Sequence, residues 1–232
     1  MERHFHEEVG EFHTSLLKMA SLAEQGLEKA LQALKHQDKR LAEEVIFSDQ
    51  AIDDLQNAND EQAIDLLALH QPMAIDLRMI TTGMYVNSEL EMIGDLIVNI
   101  AQRAIELADK PLVKPLVEIE KMVVVAKKMI RETSDAFIRR DSDLAKQVIV
   151  YDKESNRLRD AIVSELIYEH MVKDGSVAPR AVLLILAARD LERICDHCTA
   201  IAEDVIYMIQ ARTVKHHREL LEEGFDAGTP QS

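Results

Sequence analysis

The chain has 232 residues, 47% hydrophobic and 30% charged, with seven Gly, five Pro, no Trp and only 4% aromatic residues. That composition argues against a turn-rich sandwich or barrel and for long helices. The formal charge of −15, from 42 Asp and Glu against 27 Lys and Arg, opposes direct binding to nucleic acid phosphates and favours cations or basic protein faces as partners.

The first segment, MERHFHEEVGEF, has no apolar signal core. The longest apolar run, Ala181 to Ala188, is far short of the roughly 20 residues that cross a bilayer. A cytoplasmic protein is expected, peripheral to a membrane only through partners. His4, His6 and His13 cluster here, as His216 and His217 do near the other end. Neither spacing makes a recognisable site, so capping or solvated roles are expected.

The first helix should end at His36-Gln37-Asp38, with Asp38 as N-cap of the second, and the second at His70-Gln71-Pro72, where Pro suits the first turn of the third. Further breaks fall at Lys110 to Pro115, at Arg140-Asp141 with Asp141 as the equivalent cap, and at Asp174-Gly175-Ser176. Six long helices result. Three antiparallel helices with short connections can close a core, so the expected fold is all-α, two three-helix bundles in tandem over 1–110 and 111–223, with a disordered tail over 224–232.

The division into halves is also written as a repeat. His36 to Leu55 matches Arg139 to Leu158 at a shift of 103 residues, and Ser88 to Ala101 matches Arg189 to Ala202 at a shift of 101. In the second match, Leu90/Leu191, Ile93/Ile194 and Ile100/Ile201 carry the apolar framework, while Glu91/Glu192 and Asp95/Asp196 carry an E-x-x-x-D pair.

In the third helix Leu90, Ile93, Ile97, Ile100 and Ala104 follow the spacing of a core-facing seam. Glu91, Asp95 and Asn99 form a line roughly opposite and should look outward. Carboxylates at i and i+4 repel by about 0.2–0.5 kcal/mol, so stability alone gives no reason to write the pair twice, and a bound cation would reverse the sign. Asp49 and Asp53 make a similar pair on the second helix, matched by Asp152 and Asn156 in the second half. Two such pairs across a groove offer oxygen ligands suited to Mg²⁺, Ca²⁺, Mn²⁺ or iron. The candidate metal ligands are therefore Glu91, Asp95, Asn99, Glu192, Asp196, Asp49, Asp53 and Asp152.

No E-x-x-H of a ferritin-like centre occurs, and His197 is treated as an incidental exposed residue. Cys195-Asp196-His197-Cys198 is formally C-x-x-C but lies inside a helix, with Cys198 on the apolar seam at the position of Ile97 and Cys195 at that of Gly94. A buried small hydrophobe is the simpler reading of Cys198. With no phosphate loop, nucleophile elbow or nucleotide fingerprint, no catalytic residue and no organic cofactor are assigned.

The phrases QPMAIDLRMI, LEMIGDLIVNIA and ARDLERICDHCTAIAEDVIY resemble the PhoU family of accessory regulators of bacterial phosphate uptake, over about Arg3 to His217. The resemblance implies two pseudo-symmetric three-helix bundles, with metal, often iron, on the two acidic motifs and on Asp49, Asp53 and Asp152 of the neighbouring helices. It implies an adaptor, often homodimeric, that links the phosphate ABC importer's ATPase to a sensor histidine kinase and restrains uptake and the phosphate-starvation response. Ala200 stands where the family has Asn, and Cys195 where it has Gly, so the second motif should bind metal more weakly. The alternative reading is a metal-dependent carboxylate-bridged enzyme or a metal-storage helical protein.

Overall fold

A computed structural model describes residues 2–212, all of the regular structure being helical. The elements are α1 (Glu2–His36), α2 (Lys39–Ser48), α3 (Gln50–His70), α4 (Ile75–Leu107), α5 (Val117–Arg139), α6 (Ser142–Glu165) and α7 (Ala178–Gln210). The expected tail over 224–232, with His216 and His217, lies outside the described residues.

Six long helices are present if α2 and α3 are counted as one, because they meet at Asp49 in a single tightened turn. There the Ile52 amide donates to the Asp49 carbonyl at 2.7 Å, an i to i+3 bond, while the Ser48 hydroxyl donates back to the Val45 carbonyl at 2.9 Å. The matching stretch of α6 is unbroken; its irregularity comes later, where the helix widens into a π turn at Leu166–Met171.

The first turn of each bundle is the same device. Gln37 and Arg140, 103 residues apart, both take the left-handed conformation (φ 55° and 53°). The amides of Asp38 and Asp141 then reach back to the carbonyls of Ala33 and Ala136 at 3.0 and 2.9 Å, the long bond of a helix C-terminal cap. Both aspartates go on to cap the next helix, Asp38 accepting from the Leu41 amide at 3.0 Å and Asp141 from the Leu144 amide at 2.9 Å. Pro72 differs from expectation. It lies in the connection between α3 and α4 rather than in the first turn of α4, because Gln71 is left-handed and Ala74, with φ 47°, delays the helix start to Ile75.

Within each half the three helices pack on one another: α1, α2/α3 and α4 in the first, α5, α6 and α7 in the second. The seam residues Leu90, Ile93, Ile97, Ile100 and Ala104 are all buried. The bundles then join along two further pairs, α4 with α7 and α1 with α5, and the buried apolar side chains of both form one continuous cluster.

Both joints are antiparallel, as their polar contacts show. On the α4–α7 joint, Arg78 Nε donates to the Met208 carbonyl at 3.1 Å, His197 Nδ1 meets Glu89 Oε2 at 2.6 Å, and Arg103 pairs with Asp190. On the α1–α5 joint, Glu24 pairs with Arg131 and Glu28 with Lys127, both at 2.7 Å, and Lys35 with Glu120 at 2.9 Å. The latter three pairs are substantially solvated and contribute register more than stability.

Near one end of this joint, Phe12 of α1 and Phe137 of α5, both buried, meet over Gly83 of α4. A Cβ at Gly83 would fall well inside van der Waals contact of the Phe12 ring and 3.3 Å from Phe137 Cζ. Gly83→Ala is therefore expected to destabilise the protein by about 1–3 kcal/mol through overpacking, despite the better helix propensity of Ala. Chemical denaturation measures this, and a stabilised variant would show that the two rings are free to retreat.

Candidate functional site

The outward line of α4 does not face open water along its length. Asp95 is exposed, but Glu91 and Asn99 are half-buried, because α2 and α3 lie alongside. The tightened turn at Asp49 aims that carboxylate at α4. A Cβ on Gly94 would stand only 2.8 Å from Asp49 Oδ1 and 3.3 Å from Ile52 Cδ1. Gly94 is thus a cradle: the bare Cα lets the Asp49 carboxylate lie against α4. A pocket of about 70 Å³ opens beside it, lined by Gln25, Gly26, Lys29, Asp49 and Gly94, with room for water-sized occupants.

Charge crowding reports which groups have been brought together. The Asp49 carboxyl is pushed up to about 6, first by burial and then by the negative charges of Asp53, Asp95 and Glu91. Glu91 is raised as well, by burial, Asp95 and Asp53, with His197 opposing. Asp49, Asp53, Glu91 and Asp95 are therefore one cluster spanning two helices. Asn99 sits one turn further along the same face of α4.

The second cluster is built at the matching places from Asp152 of α6 with Glu192 and Asp196 of α7. Asp196 reaches solvent, yet its carboxyl is pushed up to about 6 by burial, by Asp152 and by Glu192. Its surroundings differ in three ways. Asp152 is buried, at 2% exposure. Cys195 fills the position of the Gly94 cradle and is itself buried. Arg159 of α6, at the position of Gln56, places Nη1 3.1 Å from Glu192 Oε1.

Three side chains that carry the site's surroundings were not singled out by motif. Arg159 is one. Glu89 and Asp190 are the others, and they occupy the same position in the two copies: each receives a base from the opposite bundle, Glu89 from His197 and Asp190 from Arg103. The signal was in the repeat, which keeps an acid at both places. His197 is accordingly not an incidental exposed residue. It is mostly buried, engaged with Glu89, and close enough to both clusters for its charge to act on Glu91 and Asp196.

Both cysteines are buried, and burial pushes the Cys195 thiol up to about 12 and Cys198 well above its ordinary value. Thiolate chemistry is suppressed in such surroundings. His4 and His70 flank Glu8 at 3.0 and 2.6 Å, and His13 packs edge-on against Phe137.

Among the described residues, no three His, Cys, Asp or Glu side chains converge on one point as a bound ion would require. The first cluster still fits a hard cation in its chemistry: four carboxylates, oxygen donors only, two of them with pKa raised by burial and then by neighbouring acids, beside a cradle that a Cβ would fill. The second cluster offers three carboxylates and an arginine.

Two copies of the PhoU domain family match the chain, at residues 16–104 and 119–205. The chain is 39% identical to the phosphate-specific transport system accessory protein PhoU homolog of Aquifex aeolicus, covering 90% of this chain and 94% of that one. It is 31% identical to the accessory protein PhoU of Escherichia coli, covering 91% and 88%. The crystal structure of PhoU from Pseudomonas aeruginosa matches with a TM-score of 0.85 at 36% identity, over 90% of this chain and 100% of that one. That of the phosphate transport system regulatory protein PhoU from Streptococcus pneumoniae matches at 0.84 and 28%, over 90% and 99%.

The raised carboxyl of Asp49 has a consequence for stability. An acid whose folded pKa lies above its unfolded value of 3.8 supports the fold below that value and withdraws support as pH rises through about 6. Asp49 makes no side-chain cap bond, so Asn removes charge without removing a cap. Asp49→Asn is expected to raise the melting temperature of chelator-treated protein at about pH 7.5, with the gain shrinking toward about pH 5. An equal effect at both would mean that charge is not the cause.

Proposed function

The chain belongs to the PhoU family, and from that premise we propose that it is an accessory protein of a phosphate transport system, acting without catalysis as a cytoplasmic regulator of phosphate homeostasis. The observation that carries this reading is the coincidence of two repeats: the family's domain matches twice, and each match contains one acidic cluster. Relatives covering most of the chain carry the name phosphate-specific transport system accessory protein.

In finer detail, the protein is an adaptor between the phosphate ABC importer's ATPase and a sensor histidine kinase, restraining uptake and the starvation response. Long helical surfaces with a charge of −15 suit basic faces of protein partners and not nucleic acid. No described helix is long and apolar enough to cross a membrane, which fits a protein recruited to the membrane by its partners. Homodimerisation is part of the same proposal; exposed apolar side chains recur at equivalent positions of the two halves, Phe47 with Val150 and Leu69 with Val172, as an assembly surface would need. Pull-down with the importer's ATPase and with the kinase's cytoplasmic part tests the adaptor role. Binding to both is expected, and binding to neither, with or without metal, would sink it.

A hard divalent ion or iron on the first cluster is the second element of the proposal. Asp49, Asp53, Glu91 and Asp95 would hold it, with Asn99 and, in the second half, Glu192, Asp196 and Asp152 as the remaining candidates. Bound there, such an ion supplies positive charge that reverses the repulsion between α4 and the α2/α3 helix. Elemental analysis of purified protein is expected to show metal that Asp95→Asn lowers by about tenfold in affinity or more, the loss of one charged ligand. Metal content indifferent to Asp95 and Asp196 alike would exclude both clusters.

A further inference from the structure

We propose that Arg159 is the resident cation of the second acidic cluster and keeps metal out of it, so that the two repeated motifs have different occupants: an ion in the first, a guanidinium in the second. The metal half of this statement rests on the reading given above. The arginine half stands on geometry.

The guanidinium contacts α7 and two neighbours on its own helix. Nη1 lies 3.1 Å from Glu192 Oε1, Nη2 donates to Asn156 Oδ1 at 3.2 Å, and Nε lies 2.9 Å from Asp160 Oδ1. Asn156 itself is tied back, its Nδ2 donating to the Asp152 carbonyl at 3.1 Å. Glu192 and Asn156 are the counterparts of Glu91 and Asp53, two of the oxygen sources that a metal would draw on in the first half. In the second half both are already turned toward Arg159.

Side-chain exposure is 23% for Arg159 and 17% for Glu192, so the pair is screened by water only in part. An arginine is charged at every accessible pH, and its charge cannot be titrated away to admit a metal. A divalent ion at Glu192 would have to displace the guanidinium or sit beside a like charge within a few ångströms, at a local dielectric well below that of water. Asp152 offers no free alternative: Cys195 fills the place of the Gly94 cradle, and the buried Asp152 carboxylate is already engaged with Asp196 of α7.

The same reading explains why the second motif tolerates Ala200 in place of the Asn99 amide. A cluster balanced by a covalently attached cation has no use for a further neutral oxygen donor. It also accounts for keeping Glu192 and Asp196 in a motif that holds no ion: Glu192 pins α6 to α7 through Arg159 and Asp196 does so through Asp152, as a metal would pin α2 and α3 to α4.

The test uses Mn²⁺ as probe and the full chain throughout. In an Asp49→Asn, Asp95→Asn background, where the first cluster is disabled, calorimetric titration is expected to show no Mn²⁺ site. Adding Arg159→Gln should create one, tightening apparent affinity by about tenfold or more, and adding Asp196→Asn should abolish it again. Arg159→Lys, which keeps the charge, should create none. Arg159→Met repeats the removal of charge with the apolar stem kept, should the Gln variant lose helix content. Mn²⁺ binding in the background that depends on Asp196 while Arg159 is intact would overturn the proposal, as would a failure of both neutral variants, folded by circular dichroism, to gain a site. Absence of Mn²⁺ from the wild-type chain would instead sink the first-cluster metal reading, leaving the arginine variants to decide Arg159 independently.

Discussion

α4 and α7 lie antiparallel at the centre of the molecule, and the demands on these two helices shape everything around them. Each must turn its seam of Leu, Ile and Ala to its own bundle, a second face to its counterpart, and a third toward α2 and α3 or toward α6. A helix hemmed on three sides has little surface left for solvent, so its charged residues end up beside other elements. That is why Glu91 and Glu192 are partly buried, why Asp49 and Asp196 are destabilised as anions, and why Glu89 and Asp190 require a base from across the joint.

The joint also makes the acidic clusters neighbours of the inter-bundle contact. Glu89 is two residues from Glu91, and His197 is adjacent to Asp196, so one of the polar contacts between the bundles lies beside both clusters. Burying a charged pair is only weakly stabilising in itself, but removing one partner leaves the other stranded. Such a pair fixes how α4 meets α7 more than how strongly.

Duplication produced two similar frameworks with divergent electrostatics. In the first, a glycine cradle admits Asp49 and four carboxylates gather, with no arginine bridging them among the described residues. In the second, Cys195 occupies the cradle and Arg159 holds Glu192. The first bundle carries a further polar feature, a buried network in which Asn59 donates to Asn87 at 2.9 Å and Asn87 donates to the Gln56 carbonyl at 2.9 Å and to Asp60 at 3.0 Å. The second has Ile162 and Ala188 at the positions of those two asparagines. Stability in the second half is therefore apolar where the first is specified by hydrogen bonds.

What the sequence settled by itself was everything governed by local period and local caps. The six-helix pattern, the seam from Leu90 to Ala104, and the Asp38 and Asp141 caps follow from apolar spacing and from side chains that bond their own backbone within three residues. The repeat even marked the two clusters, because identical acids at identical spacing must face equivalent neighbours. Tertiary structure decided what no local rule contains. Which charges become neighbours depends on helices more than 30 residues apart in the chain; Asp49 meets Glu91, Arg159 meets Glu192 and His197 meets Glu89 only once the bundles close. Pro72 failed as a helix start for a related reason, since the left-handed Gln71 and the turn at Ala74 are imposed by where α3 ends and α4 must begin. The stripe that the wheel places opposite the core proved to be half-covered, because a wheel knows one core and α4 has three neighbours.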